Sequence, residues 1–510
     1  MTTGFVHRHG TTIHDIHDNP FTLRGVGIGG WLLPEGYMLK SFGAIDRPRR
    51  FRSHLSKMVG PAATNAFFAS WYQTFFTEWD VRRIKQAGFN SIRIAIDYAF
   101  LFEPSETAIT LAIIPGHFTI LDRIVRSCAT EEVYVILDLH AAPGGQTGTN
   151  IDNSVSDHPD LFTNELYQQQ LLHVWRTIAL RYKDEPWIAA YDLLNEPLPK
   201  WQAKYNDLLM PLYRRVIQSI RTVDPHHMIT IEGLHWATDW SCFTELPDDN
   251  ILLQFHKYWS NPDKESLAPY LETREQLQVP IFMGEGGENN LPWYYAVFKL
   301  YDQLDISFNF WTYKKMDTSN SIVSFAEPSN WPAFLEGTLA TDEARIVLEE
   351  LLHGIQPEQV TWNDNVVNHI LQLNNLIIPA HAYDHFGDQT SHHAIRSHDS
   401  SMRISDGMRL VARDHRVVTP NFRHYGGECP STDERITLIL APGEWVIYGF
   451  YLTPPHRLDD VKVIGVNDTE PDVTLEVFPP TASMQPWRVR VGATEHDAQV
   501  EFIHVVSRRN

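Results

Sequence analysis

Tyr191-Asp192-Leu193-Leu194-Asn195-Glu196-Pro197 reads as a buried strand that stops abruptly, because the proline after Glu196 cannot continue a regular strand. Ile281-Phe282-Met283-Gly284-Glu285-Gly286-Gly287 likewise ends an apolar run in a carboxylate, here between glycines that let a substrate approach the backbone. Working outward, short apolar runs alternate with longer amphipathic patterns from about residue 20 to about residue 350. Strands are predicted at Phe21–Ile28, Ser91–Ile96, Val133–Leu139, Ala189–Leu194, Met228–Glu232, Ile251–Phe255, Pro280–Met283 and Ile306–Trp311. Helices are predicted between them, as at Glu78–Ala87, which Gly88 terminates, and at Leu166–Lys183. Eight such units are what a (β/α)8 barrel needs, and catalytic groups of such barrels sit at the C-terminal ends of strands. A doubly wound sheet also alternates, but no G-x-G-x-x-G turn follows an early strand.

With 510 residues the chain exceeds what one core usually supports, so at least two domains are expected. Beyond about residue 355 helical periodicity fades. Short alternating runs appear at Met408–Ala412, Arg435–Leu440, Glu444–Leu452, Asp460–Val466, Val473–Val477, Trp487–Val491 and Gln499–Val505, separated by turn clusters. The expectation is a catalytic barrel over 1–355 and an antiparallel β-sandwich over 356–510.

Hydrophobic residues at 43% and charged residues at 21% describe an ordinary folded protein and exclude disorder. The 63 acidic against 42 basic residues give a formal charge of −21, a surface that repels nucleic-acid phosphates and anionic lipid. Cys128, Cys242 and Cys429 lie too far apart for a disulfide framework and lack zinc-site spacing. The first residues lack the apolar core of a secretory leader, and no run long and apolar enough to span a membrane occurs. A cytosolic site of action is therefore expected.

Two carboxyls about 5–5.5 Å apart can cleave a glycosidic bond with retention, one as acid/base and one as nucleophile. The ordered motifs resemble glycoside hydrolase family 5, over about residues 20–320. The resemblance implies Glu196 as acid/base and Glu285 as nucleophile. It implies Arg93 as support of the nucleophile, His140 at the glycone site and Asn195 on the sugar 2-hydroxyl. His256 and Tyr258 match a strand-6 pair whose tyrosine touches the nucleophile, and Trp311 matches a tryptophan under the glycone. For single members, a structural ion pair for Arg93 and a core histidine for His140 are the alternatives. Glu232 either lines the cleft or forms a barrel ion pair. No metal or other cofactor is called for.

Two further stretches are similar to the exo-β-1,3-glucanase branch of the family. Gly27–Glu35 nominates Glu35, and the long His140–Ser154 loop nominates Asn153, both as holders of the non-reducing sugar. The sequence departs from that branch around Thr147–Ile151, at Asp97 and at Tyr313-Lys314-Lys315, positions expected to choose the substrate. The reading is thus a retaining, exo-acting β-glycosidase for short β-glucosides or β-glucan oligosaccharides. An exo-β-mannosidase or other family-5 enzyme and a catalytically inactive carbohydrate-binding barrel are the alternatives. Trp236, Trp240, Trp259 and Trp293 follow strand ends and are candidate sugar platforms. The C-terminal region faintly resembles carbohydrate-binding modules of family 6 type, but a sandwich that buttresses the barrel or forms a homo-oligomer interface is preferred.

Overall fold

Eight parallel strands close into a barrel in the computed structural model, which describes residues 4–412, 416–417, 420–422, 435–482 and 485–509. They are β1 (Arg24–Leu32), β2 (Ser91–Asp97), β3 (Tyr134–Ala141), β4 (Ile188–Asp192), β5 (Met228–Glu232), β6 (Ile251–His256), β7 (Ile281–Gly287) and β8 (Ser307–Trp311). Each neighbours the next in sequence, and β8 pairs with β1 to close the ring. The first predicted strand is displaced, because Phe21 pairs with Ile13 in a separate three-stranded sheet and β1 instead runs on to Leu32. That small sheet is a hairpin, His7–His9 with Thr12–His14, plus Pro20–Phe21. Its Ile13, with Val6 just before the sheet, joins Leu23, Ile136, Ala190, Met228, Leu252 and Phe282 in one buried cluster, which plugs the end of the barrel where the strands begin.

The helix Glu78–Ala87 forms where expected. Thr77 and Asp80 make a reciprocal capping box at its start, and Gly88 ends it with φ of 106°. Tyr313 and Lys314 turn toward this helix rather than toward substrate. The Tyr313 hydroxyl donates to Asp80 at 2.8 Å, and Lys314 Nζ lies 3.3 Å from the same carboxylate, both side chains being buried. That part of the expected specificity segment is framework.

Contacts divide the chain into two units. One comprises Met1–Lys257, Tyr270–Gly286 and Ser307–Trp362; the other comprises Tyr258–Pro269, Gly287–Ile306 and Asn363–Asn510. The sequence texture suggests one cut near 355. In the structure Thr361–Trp362 pairs with Val323–Phe325 in the first unit. The helix Leu291–Gln303 belongs to the second, where buried Lys299 reaches Asp384 at 2.5 Å and the Tyr295 hydroxyl donates to Gly449 at 2.6 Å.

The second unit holds two antiparallel sheets. One orders Leu376–Pro379, Ala498–Arg509, Ile436–Leu440 and Arg409–Ala412, with His456–Gly465 also on Ala498–Arg509. The other orders His392–His393, Trp445–Phe450, Trp487–Ala493 and Val473–Phe478. Inward positions such as Ile378, Leu438, Val500, Val446, Tyr448 and Val489 are buried, as strand alternation requires. Cys128 and Cys242 are free thiols, and Cys429 lies outside the described residues. No helix among the described residues is long and apolar enough to cross a membrane.

Candidate active site

Polar residues occupy inward positions on the barrel strands near their C-terminal ends. Register places Ala95 beside Asp138, Asp138 beside Asp192, and Glu232 beside Gln254. Among them Arg93 of β2 is fully buried and spans the barrel. Its guanidinium donates to Asp192 at 2.8 Å, Glu285 at 2.5 Å, Asn195 at 2.9 Å and Glu232 at 3.1 Å, and Asp138 lies at 3.2 Å. A guanidinium can serve several acceptors at once because its five donors point outward in a fixed plane.

Glu196 lies beyond the end of β4, with φ of 46°. A left-handed glutamate costs on the order of 1–3 kcal/mol and persists only where neighbours enforce it. Glu232 is one of them, since it accepts the Glu196 backbone N–H at 2.7 Å. The same buried carboxylate lies 3.3 Å from His256 Nε2, so Glu232 is a brace of the site as well as an ion-pair member. His256 Nδ1 meets Glu196 at 2.7 Å and lies 3.6 Å from Glu285. Carboxylate oxygens of Glu196 and Glu285 lie within 4.8 Å of each other, with His256 between them in the same group.

The two glutamates titrate in opposite directions. Burial pushes both up. At Glu285 the nearby His256, Arg93 and His140 outweigh burial and hold the pKa below the ordinary value. At Glu196 burial prevails, reinforced by Glu285 and Glu232, and the pKa rises although His256 opposes it. Burial would depress His256, but Glu232 and Glu285 carry it well above the usual histidine range.

His140 is depressed to about 4 by burial, with Glu285 opposing. It bonds Asp138 through Nδ1 at 2.7 Å and meets the Asn195 amide through Nε2 at 3.2 Å. The Trp311 indole lies parallel to the His140 ring, 5.4 Å between centroids and 3° between planes, and its Nε1–H donates to the Tyr37 hydroxyl at 2.8 Å. A Cβ on Gly27 or Gly29 would collide with that indole, which explains two of the glycines of β1. Glu35 is buried, 3.7 Å from His140 Nε2.

Asn153 is engaged differently from what the resemblance implies. Its Nδ2 donates to Asp97 at 2.7 Å and its Oδ1 accepts from the Arg49 backbone at 3.0 Å, so both ends tie the long loop to β2 and to the helix Pro48–Val59. Asp152 gathers the insertion itself, accepting from Thr147 and Gly148 backbones at 2.8 and 2.9 Å. The glycines beside Glu285 make room for neighbouring groups of the barrel. Gly284 leaves room for the Gln254 side chain and Gly286 for the Lys257 carbonyl. Tyr258 belongs to the second unit, half-buried, its ring 5.5 Å from that of Trp259. Trp240 and Trp293 are buried packing residues that donate to Gln254 and Ser260 carbonyls.

Arg93, His140, Asn195, Glu196, His256, Glu285, Trp311 and Glu35 thus converge. Asp138, Asp192 and Gln254 are members the sequence reading passed over. Their signal is a polar side chain inside an otherwise apolar strand run, facing the side that Arg93 faces. Two triplets, Asp138–His140–Glu285 and Glu196–His256–Glu285, have donor atoms close enough to share a cation, but Arg93 already supplies positive charge to that carboxylate.

Residues 55–317, more than half of the chain, match the family model described as cellulase (glycosyl hydrolase family 5). The chain belongs to glycosyl hydrolase family 5. It is similar to a beta-xylosidase of Phanerodontia chrysosporium, 33% identical over 270 residues, 52% of this chain and 54% of that one. It is also similar to a probable glucan 1,3-beta-glucosidase A of Neosartorya fischeri, 28% identical over 246 residues, 46% and 55% of the two chains. The family-5 chain thus spans about half the length of these relatives. A crystal structure of rutinosidase from Aspergillus niger is 19% identical, over 59% of this chain and 92% of that one, with a TM-score of 0.48.

Proposed function

We propose that this glycoside hydrolase is a retaining, exo-acting β-glycosidase that removes one β-linked sugar at a time from short oligosaccharides. The observation that carries this reading is the pair Glu196 and Glu285, with oxygens within 4.8 Å and pKa values driven apart. That spacing suits direct attack on the anomeric carbon and leaves no room for the interposed water of an inverting enzyme, whose carboxyls stand about 6.5–9.5 Å apart. Glu285, held ionised, attacks the anomeric carbon while Glu196 protonates the departing oxygen. The glycosyl ester on Glu285 is then cleaved by a water that Glu196 deprotonates. Asn195, whose Oδ1 is fixed by Arg93, presents its amide N–H to the 2-hydroxyl.

The exo assignment is supported by Glu35, buried beside His140 and Trp311, where a carboxylate can bind the hydroxyls of a terminal sugar. Glucose is the first choice of glycone. The β-xylosidase relative favours xylose as a second reading, and a panel of aryl β-glycosides decides between them. The mechanism is tested by Glu285→Ala with azide. Turnover is lost, and azide restores it as a glycosyl azide of inverted anomeric configuration, because a small anion occupies the vacated space. Rescue of that kind at Glu196→Ala and not at Glu285→Ala would exchange the two roles.

A further inference from the structure

The N-terminal hairpin carries a cluster of ligating side chains unrelated to the hydrolytic chemistry. Its sequence, His7-Arg8-His9-Gly10-Thr11-Thr12-Ile13-His14-Asp15-Ile16-His17-Asp18, is unusually rich in histidine. Strand register turns that composition into a site. His7 stands directly opposite His14, and His9 opposite Thr12, so His7, His14 and, diagonally, His9 share one face. Ile13 points the other way, into the cluster that plugs the barrel.

The turn after the hairpin brings Asp18 onto that face, with φ of 68°. His7 Nε2 lies 3.2 Å and His14 Nδ1 lies 3.1 Å from the same oxygen, Asp18 Oδ1. One donor atom from each of the three residues falls within a 4.8 Å group. The other nitrogen of His7, Nδ1, is 2.9 Å from the Phe5 carbonyl and donates to it. With Nδ1 committed to that carbonyl, Nε2 is the nitrogen that faces Asp18, a proton donor to it in the metal-free pair and a ligand once that proton is lost, and a backbone carbonyl behind the ring is the usual partner of a metal-bound histidine. The His9 ring is 5.3 Å from that of His14, near enough to supply a fourth ligand, a place water can also take.

The spacing and the donor set suit zinc. Zinc bonds of about 2.0–2.1 Å in a tetrahedron put neighbouring ligand atoms about 3.3–3.4 Å apart, within about 0.2 Å of the two nitrogen–oxygen separations. Calcium or magnesium would require more oxygen donors. We propose that His7, His14 and Asp18 form a zinc site that clasps the barrel-plugging hairpin to its following turn. Coordination joins His7 Nε2, His14 Nδ1 and Asp18 Oδ1 to the ion, and any proton on those nitrogens leaves to solvent.

The test is calorimetric titration of the full chain with zinc chloride at pH 7.5, in a Glu285→Gln background that removes the residue shared by both active-site triplets. One equivalent binds, and the thermal midpoint rises with zinc concentration as for any ligand of the folded state. His14→Gln and Asp18→Asn each weaken binding at least about tenfold and abolish the thermal shift. Asp18 is half-exposed, so its variant folds even where the histidine variant does not. At pH 5, where imidazole is protonated, affinity falls sharply. Equal zinc affinity in the parent and in Asp18→Asn, or no heat at 100-fold molar excess, would overturn the site and leave a plain histidine–carboxylate ion pair.

Discussion

Arg93→Lys separates charge from geometry at the centre of the site. Lysine keeps the positive charge but replaces a planar fork by one ammonium, which cannot span from Asp192 through Asn195 and Glu232 to Glu285. The 2.5 Å bond to Glu285 is the one that matters for attack. A charge-assisted hydrogen bond contributes about 1.5–3 kcal/mol, and losing it removes that much support from the ionised form of Glu285, so its pKa rises. The direction follows from the balance at that carboxylate. Burial already pushes it up, and Arg93 is one of three groups holding it down.

On the proposed mechanism Glu285 must be ionised to attack, so the acidic limb of kcat/KM moves to higher pH, by less than loss of the charge as well would give because the lysine ammonium remains. Initial rates on an aryl β-glycoside between pH 3 and 9 measure the shift, with thermal unfolding at each pH to confirm that the fold persists. A uniform fall in rate with the acidic limb unmoved would refute the reasoning. Arg93 would then orient its neighbours without tuning Glu285.

Glu35→Gln should lower kcat/KM about ten- to a hundredfold on short and long substrates alike, because it removes bonds to the one sugar that every exo substrate presents. Product analysis on a labelled pentasaccharide checks this, and early mixed fragments would indicate internal cleavage. Asp97→Asn should change stability rather than rate. Burial raises Asp97 to about 7, so the folded chain holds that proton and loses stability as pH rises from about 4 to about 7. The variant lacks this loss and gains on the parent across that window, by up to about 4 kcal/mol, and then keeps a constant margin. Denaturant midpoints at pH 4.5 and 8 measure it; an equal difference at both would contradict the assignment.

Most of the barrel was legible because strand runs buried on both sides are plain apolar runs, and β5 agrees with its predicted bounds residue for residue. Strand ends were less legible. Phe21 is as apolar as any barrel residue, and only its tertiary pairing with Ile13 assigns it to the hairpin sheet. Glu196 and Glu285 announced themselves because each carboxylate closes an apolar run. Asp138 and Asp192 did not, since a charged residue within a strand looks like an interruption until the ring closes and Arg93 faces it. Asn153 was nominated only by resemblance to the exo-β-1,3-glucanase branch, and its bonds to Asp97 and to the Arg49 backbone, which anchor the loop, had no signal in the sequence.

The distribution of charge explains why two glutamates in one pocket can hold different protonation states. Asp138, Asp192, Glu196, Glu232 and Glu285 are five carboxyls around Arg93 and His256, so carboxyls outnumber cations and some must retain protons. Burial raises Asp138, Asp192, Glu196 and Glu232, and only Glu285 is driven down. Distance decides the outcome. Glu285 has Arg93 at 2.5 Å, His256 at 3.6 Å and His140 at 4.0 Å, whereas Glu196 has His256 alone among these three at 2.7 Å and faces two carboxylates. On the proposed mechanism Glu285 becomes a glycosyl ester, its charge is gone, and one of the two repulsions that raise Glu196 goes with it. Glu196 then loses its proton readily and becomes the base that the second step requires. The switch from acid to base needs no movement of the chain, because the bond made in the first step changes the field that sets up the second.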